Sequence, residues 1–229
     1  MLLTLDPLYW LMLAPALLLG LWAQMRVRST FAQASQVPAP LSGAAAARHV
    51  LDSAGLQNVA IEPVAGQMTD HYDPRAKVLR LSEPVYDERT MAAVGVAAHE
   101  AGHALQDATG YTLLRIRNAM VPLANFGGGI SMMLMMLGFL LSSLNLIQIG
   151  IIAFSATVFF QLVNLPVEFD ASRRAKAQLD ALNIVPRQDQ GHVRSVLSAA
   201  AWTYVAGTLQ AVLTLLYFIM RFSGSSRSD

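Results

Sequence analysis

The chain contains no cysteine, and its formal net charge is only +1. The absence of thiols excludes disulfides, thiolate metal sites and cysteine nucleophiles, so a metal ion would have to be held by His, Asp or Glu. The near-neutral charge argues against a nucleic-acid-binding protein, because such proteins concentrate Lys and Arg to neutralise phosphates.

Charged residues are also scarce: they make up 14% of the 229 residues, against 54% hydrophobic residues. Ionisable side chains are missing from 19 residues between Asp6 and Arg26, from 50 between Arg117 and Glu168, and from 26 between Arg194 and Arg221. About 20 apolar residues cross a bilayer as a helix, so the middle stretch can cross twice, with a turn near residues 142–145. The sequence therefore predicts four transmembrane helices.

These boundaries predict a mainly α-helical, multi-pass membrane protein with a small α+β element. We assign residues 1–26 to an N-terminal transmembrane anchor, 27–119 to an α+β module, 120–166 to a transmembrane hairpin, 167–194 to a polar helical segment, 195–221 to a C-terminal transmembrane helix and 222–229 to a disordered tail.

The positive charges predict the orientation of these segments. A cleaved signal peptide is the alternative for the first stretch, but Arg26 and Arg28 follow the apolar run instead of preceding it. With the N-terminus outside, the two inner segments hold nine and five Lys/Arg, and only Arg221 and Arg227 lie outside. This positive-inside pattern predicts that the polar segments face the cytoplasm.

Local signals divide the polar module. Residues 29–41 lack apolar periodicity and are predicted to be loop. Ser42 is a candidate N-cap of a helix through Ala54, with Gly55 after its end.

Short strands are expected at 59–61 and 77–81, joined through a turn at 70–74. The second strand is either an exposed edge that pairs with substrate backbone or an ordinary internal strand. Asp87 is a candidate cap for a long helix over about 87–108.

The predicted helix carries the strongest chemical signal. His99 and His103 are four residues apart and project from one helical face, close enough to hold one metal ion, and Glu100 lies beside them. In metallopeptidases a neighbouring carboxylate takes the proton of the attacking water, a role that Glu100 would fill. Coincidental spacing in a buried helix is the competing interpretation.

A catalytic zinc ion needs a third protein ligand. The remaining histidines are His49, His71 and His192, and the main carboxylates are Glu168 and Asp170. Glu168 is the best candidate because it is the first charge after the hairpin and so emerges on the side of the zinc motif. A carboxylate that simply caps a membrane helix in water is the alternative. Pro166 would fit a break or a helix start at the membrane surface.

The sequence resembles the neutral zinc metallopeptidases of the YugP-like group, which are prokaryotic membrane proteins. Five segments carry the resemblance: 70–74 (DHYDP), 78–82 (VLRLS), 97–106 (AAHEAGHALQ), 165–172 (LPVEFDAS) and 203–206 (TYVA). It implies a Zn²⁺ peptidase of the prokaryotic inner membrane with a zincin-like element.

The resemblance also implies roles for individual residues. His99, His103 and Glu168 would bind zinc, and Glu100 would be the catalytic base. Zinc is the cofactor that it implies, and a protein or peptide is the substrate.

A more distant similarity is to the membrane-bound heat-shock and CAAX prenyl proteases, which usually place an Asp four residues after the ligand Glu. Here that position is Ser172, which could still hydrogen-bond a ligand histidine. Asp107 and Asp170 are further candidates to support the ligands, and Gln106 would either brace the site or simply pack.

Candidate donors to a transition-state oxyanion are His71, Tyr72 and Tyr204, with structural roles as the alternative for each. Two other functions compete with the peptidase. A metal transporter is disfavoured because no predicted span contains an ionisable residue. A catalytically silent zinc-binding scaffold would not require Glu100. Partner proteins or a homo-oligomer remain open.

Overall fold

A computed structural model describes residues 6–222, except for the side chains of residues 125 and 126. The predicted tail at 223–229 therefore lies outside the described residues. The protein is mainly helical with one small sheet. Its elements are α1 (Pro7–Ser35), α2 (Gly43–Ser53), β1 (Ala60–Val64), β2 (His71–Asp73), β3 (Val78–Ser82), α3 (Glu83–Asp87), α4 (Met91–Ala108), α5 (Thr112–Leu140), α6 (Leu144–Ala181) and α7 (Gln190–Phe222).

Three of the described helices, α1, α6 and α7, are long and apolar enough to cross a membrane. Helix α5 bends by 44° between Thr112–Ala124 and Gly127–Leu140, and counting this bent pair as one span gives four. Pro122 lies within α5, where it cannot donate a backbone hydrogen bond. The structure thus has three candidate spans, or up to four, in agreement with the pattern of charge-free stretches.

The chain divides into two compact units. The apolar unit contains the described parts of residues 1–22, 116–165 and 203–229, and the sheet unit contains 23–115 and 166–202. In the apolar unit, helices α5 and α6 approach closely: a Cβ at Gly150 would lie 2.5 Å from Met135 Cγ and 2.9 Å from the Ser131 carbonyl oxygen. Tyr217 is buried in this unit and its hydroxyl donates a 2.7 Å hydrogen bond to Asp6.

The sheet unit contains a three-stranded sheet in the order β1-β3-β2. Strand β3 pairs in parallel with β1, with Ile61 opposite Leu79, and antiparallel with β2, with Tyr72 opposite Leu79. Because β3 has a partner on each side, it is an internal strand, and of the two alternatives for this segment the exposed edge is wrong. The edges are β1 and β2.

Strand β2 itself lies where the sequence predicted only a turn. Its pairing with β3 brings Asp73 to 2.8 Å from Arg80, and the hydrogen bond from this guanidinium is the main cause that lowers the pKa of Asp73 to about 2. Tertiary pairing therefore overrides the turn preference of a segment rich in Asp and Pro.

Helix α2 packs against α4 in the sheet unit. Ser42 caps α2 by accepting a hydrogen bond from the Ala45 amide, and Gly55 has a φ of +75° just after its end, as predicted. Helix α4 ends at Ala108 as expected, but it begins at Met91 with Thr90 as its cap. Asp87 instead ends the short helix α3, because the chain becomes extended at Glu88 before α4 starts.

Two other predicted boundaries are wrong. Helix α1 continues to Ser35, through residues expected to be loop, and ends shortly before Pro38, which disfavours helix in the residue before it. Helix α6 runs through Pro166 without ending, so the predicted break there does not occur. At 1.5 Å per residue its 38 residues extend about 57 Å, nearly twice the hydrocarbon thickness.

Candidate metal centre

The candidate metal centre forms where α4 and α6 touch in the sheet unit. Gly102 makes this approach possible, because a Cβ there would lie 2.5 Å from the carbonyl oxygen of Ala171. Only a residue without a side chain fits at such a distance. The contact brings the turn of α4 that holds His99 and His103 against the turn of α6 that holds Glu168.

Three side chains converge at this crossing. Glu168 Oε2 lies 3.2 Å from His99 Nε2 and 3.7 Å from His103 Nε2. One ligand atom from each residue lies within 4.8 Å of the others, and all three side chains are largely buried. Among the described residues 6–222, His99, His103 and Glu168 are the His, Asp or Glu side chains that lie close enough together to hold a metal ion. His49 and His71, two of the alternative ligands, are exposed.

His103 has a hydrogen-bond partner in Gln106. Its Nδ1 lies 2.9 Å from Gln106 Oε1, in a contact that is buried. A carbonyl oxygen can only accept, so in this hydrogen bond Nδ1 is the donor.

His99 has a hydrogen-bond partner in Ser172, whose Oγ lies 3.1 Å from His99 Nδ1. Ser172 is 6% exposed and occupies the position four residues after Glu168. A hydroxyl can accept from Nδ1–H just as a carboxylate would, although it carries no charge. Helix α6 therefore supplies both a candidate ligand and a support for a second one.

Asp170 contacts Gln106 and two arginines. Its Oδ2 lies 3.0 Å from Gln106 Nε2 and 2.6 Å from Arg174 Nε, and its Oδ1 accepts from Arg173. Arg174 is itself held by Thr109 at 3.2 Å and lies over the ring of Tyr111.

Glu100 follows His99 on α4 and is 9% exposed. A helix turns by about 100° per residue, so Glu100 projects to one side of the two imidazoles. Glu100 is not one of the three grouped side chains.

The other predicted residues are not among the three grouped side chains. Asp107 accepts from the Tyr72 hydroxyl at 2.8 Å and from Lys77 Nζ at 2.5 Å, so it joins α4 to the sheet. Burial and this hydrogen bond raise the pKa of Tyr72, so its hydroxyl stays protonated. His71 is exposed on β2. Tyr204 belongs to the apolar unit, so its predicted role stays a prediction.

Sequence reasoning missed two contributors to this centre. They are the carbonyl of Val167, which accepts from Gln106 Nε2 at 2.8 Å, and Arg174. The pair of Asp170 and Arg174 at i,i+4 was a readable signal for Arg174, whereas nothing local signals a backbone carbonyl as an acceptor.

The protein therefore combines helices long and apolar enough to cross a membrane with a buried His/His/Glu group that could hold a metal ion. The model of a family described as putative neutral zinc metallopeptidase matches residues 9–223. A curated relative, the putative membrane protease YugP of Bacillus subtilis (strain 168), is 50% identical over 209 residues, or 90% of this chain and 93% of the relative. The chain therefore belongs to the neutral zinc metallopeptidase family, and the prediction of that family is confirmed. No solved structure matches it.

Proposed function

We propose that this protein is a membrane-embedded, zinc-dependent endopeptidase that hydrolyses peptide bonds in membrane or membrane-proximal proteins. The observation that carries the proposal is the convergence of His99 and His103 with Glu168, a residue 65 positions further along the chain than His103, beside the buried Glu100. We propose a zincin-like element because α4, the helix that carries His99, Glu100 and His103, packs on the sheet.

The donor set fits zinc. Two imidazole nitrogens and one carboxylate oxygen are ligands that catalytic zinc sites use, with a fourth position left for water or substrate. The Nδ1 atoms of both histidines contact Gln106 and Ser172, so each Nε2 is the nitrogen that lies toward Glu168. Zinc held there would supply a Lewis acid that acidifies water and polarises a peptide carbonyl.

Glu100 is the proposed general base. Its carboxylate takes a proton from the water whose oxygen forms the new bond to the carbonyl carbon. The same carboxyl group then gives that proton to the nitrogen of the leaving amine as the C–N bond breaks. Gln106 and Ser172 hold the histidines during these steps and exchange no proton with the substrate.

We place the centre at the cytoplasmic surface of a prokaryotic inner membrane. Helix α6 is longer than a bilayer requires, so it can cross the membrane with its apolar first part and still carry Glu168 beyond it. The distribution of Lys and Arg supports the inside location of the segments around both halves of the centre.

Metal removal tests the proposed activity. The purified protein in detergent is treated with a zinc chelator and incubated with casein and with a panel of bacterial membrane proteins. We expect cleavage to fall to background, to return with stoichiometric Zn²⁺ and not to return with Mg²⁺, which prefers oxygen ligands. Mass spectrometry of the products measures cleavage. Full activity in zinc-free protein would refute the proposal, and zinc binding without cleavage by untreated protein would favour a scaffold.

Thiol labelling tests the proposed orientation, because the chain has no cysteine of its own. Asn58 in the sheet unit and Asn145 at the start of α6 are both exposed. In spheroplasts, we expect a membrane-impermeant thiol reagent to label Asn145→Cys directly and Asn58→Cys only after lysis. Direct labelling of Asn58→Cys would place the centre on the outer face.

A further inference from the structure

Gln106 is the most completely buried polar side chain near the metal centre, with 0% exposure. It lies one turn after His103 on α4, and all of its hydrogen-bonding groups face partners. An unpaired buried amide group would destabilise the fold, so this complete pairing constrains the orientation of the Gln106 side chain.

The partners of Gln106 determine which way its amide points. Val167 O lies 2.8 Å and Asp170 Oδ2 3.0 Å from the same amide atom, and both can only accept. That atom must therefore be the NH₂ nitrogen, because an oxygen there would face two other oxygens. The amide carbonyl is then the group that faces His103 Nδ1, at 2.9 Å.

This orientation links the ligands of the two helices. Val167 precedes the candidate ligand Glu168, and Asp170 follows it by two residues on α6. Gln106 thus ties His103 of α4 to the helical turn that carries Glu168. Arg173 and Arg174 fix Asp170 in turn, which leaves its carboxylate facing the NH₂ group of Gln106.

We infer that Gln106 is a positioning residue for the metal centre: its carbonyl holds His103 as the Nδ1–H tautomer, and its NH₂ group fixes His103 relative to Glu168 through Val167 and Asp170. The inference rests on the proposed zinc site but not on peptide hydrolysis. A carboxylate commonly accepts the hydrogen bond from the second ring nitrogen of a metal-binding histidine. Here the neutral amide of Gln106 accepts it, and the charge of Asp170 lies one hydrogen bond further from His103.

The test replaces Gln106 with methionine, which has a similar volume and makes no comparable hydrogen bond. Zinc affinity is measured by competition with a chromophoric chelator, and the cobalt-substituted protein is examined by visible absorption. We expect a fall of about 10–100-fold in zinc affinity and a shift of the cobalt bands. Ser82→Ala is the control, since it removes partly buried hydrogen bonds to Asp70 and should change the unfolding temperature of the metal-free protein but neither metal readout.

Unchanged zinc affinity and cobalt bands in folded Gln106→Met would overturn the inference. If that variant does not fold, imidazole ¹⁵N NMR of the zinc-loaded wild-type protein decides, with its five histidines assigned by single substitutions. We expect a protonated Nδ1 and a metal-bound Nε2 in His103, and the reverse pattern overturns the inference. Wild-type protein that binds no zinc refutes both this inference and the proposed function, whereas zinc binding without proteolysis refutes only the latter.

Discussion

Replacement of Glu100 by glutamine is expected to lower the rate of peptide hydrolysis by about 10²–10⁴-fold, the usual contribution of a positioned general base. The amide has nearly the same shape as the carboxylate but cannot take a proton from water. Glu100 is not one of the three grouped side chains, so zinc content should remain at the wild-type level. The measurement pairs cleavage rates with metal analysis of the same preparation.

Glu88→Gln is the matched control for this substitution. Glu88 is exposed and lies before the start of α4, so the same chemical change there should leave cleavage unaltered. Wild-type cleavage by the Glu100→Gln protein would remove Glu100 from the mechanism. Loss of zinc along with activity would show instead that Glu100 helps to hold the ion.

Replacement of Glu168 by glutamine should weaken zinc binding by more than the roughly 10–100-fold that loss of a supporting residue costs, because a ligand itself is removed. A neutral amide oxygen is a much poorer zinc ligand than a carboxylate, and it would leave two imidazoles alone at the centre. Activity should fall in parallel with zinc occupancy. Chelator competition and metal analysis of the purified variant measure the effect.

Asp180→Asn makes the same acid-to-amide change further along α6. Asp180 is exposed and pairs with Arg194 at 3.1 Å, so its loss should leave zinc affinity unchanged. Circular dichroism of both variants shows whether the helices are intact. Wild-type zinc affinity in folded Glu168→Gln would mean that another residue provides the third ligand.

The sequence predicts those parts of the fold that depend on local chemistry. Charge-free stretches indicate the long apolar helices, since an unpaired charge is costly in lipid. Ser42 and Gly55 mark the ends of α2 because capping and left-handed backbone are properties of single residues. His99 and His103 share one helical face because residues four apart lie about one turn from each other.

Other features depend on which elements meet, and local signals mislead there. Asp87 is a good capping residue, but the chain starts α4 at Thr90 after an extended stretch. Pro166 favours a helix break, yet α6 continues through it, as membrane helices tolerate proline where neighbouring groups satisfy the freed backbone. The short strand β2 exists because β3 lies beside it.

The hydrogen-bond partners of the candidate metal ligands could be predicted only in part. Ser172 could be placed on the face of Glu168 from spacing alone, but its partner, His99, lies on another helix. For Gln106, sequence left bracing and ordinary packing equally open. Two of its three hydrogen bonds go to a backbone carbonyl and a carboxylate of α6, and these two form only where α6 lies across α4.

The contact of Gly102 with Ala171 also bears on how such motifs are searched for. A pattern that fixes only the two histidines and the glutamate treats position 102 as free, although in this protein the neighbouring helix leaves no room there for a Cβ. The segment from His99 to His103 therefore meets two separate requirements. Its histidines and glutamate provide the chemical groups, and its glycine lets the second helix pack closely. A search that demands the glycine as well selects for chains in which a second helix backbone can lie directly against the metal-binding turn.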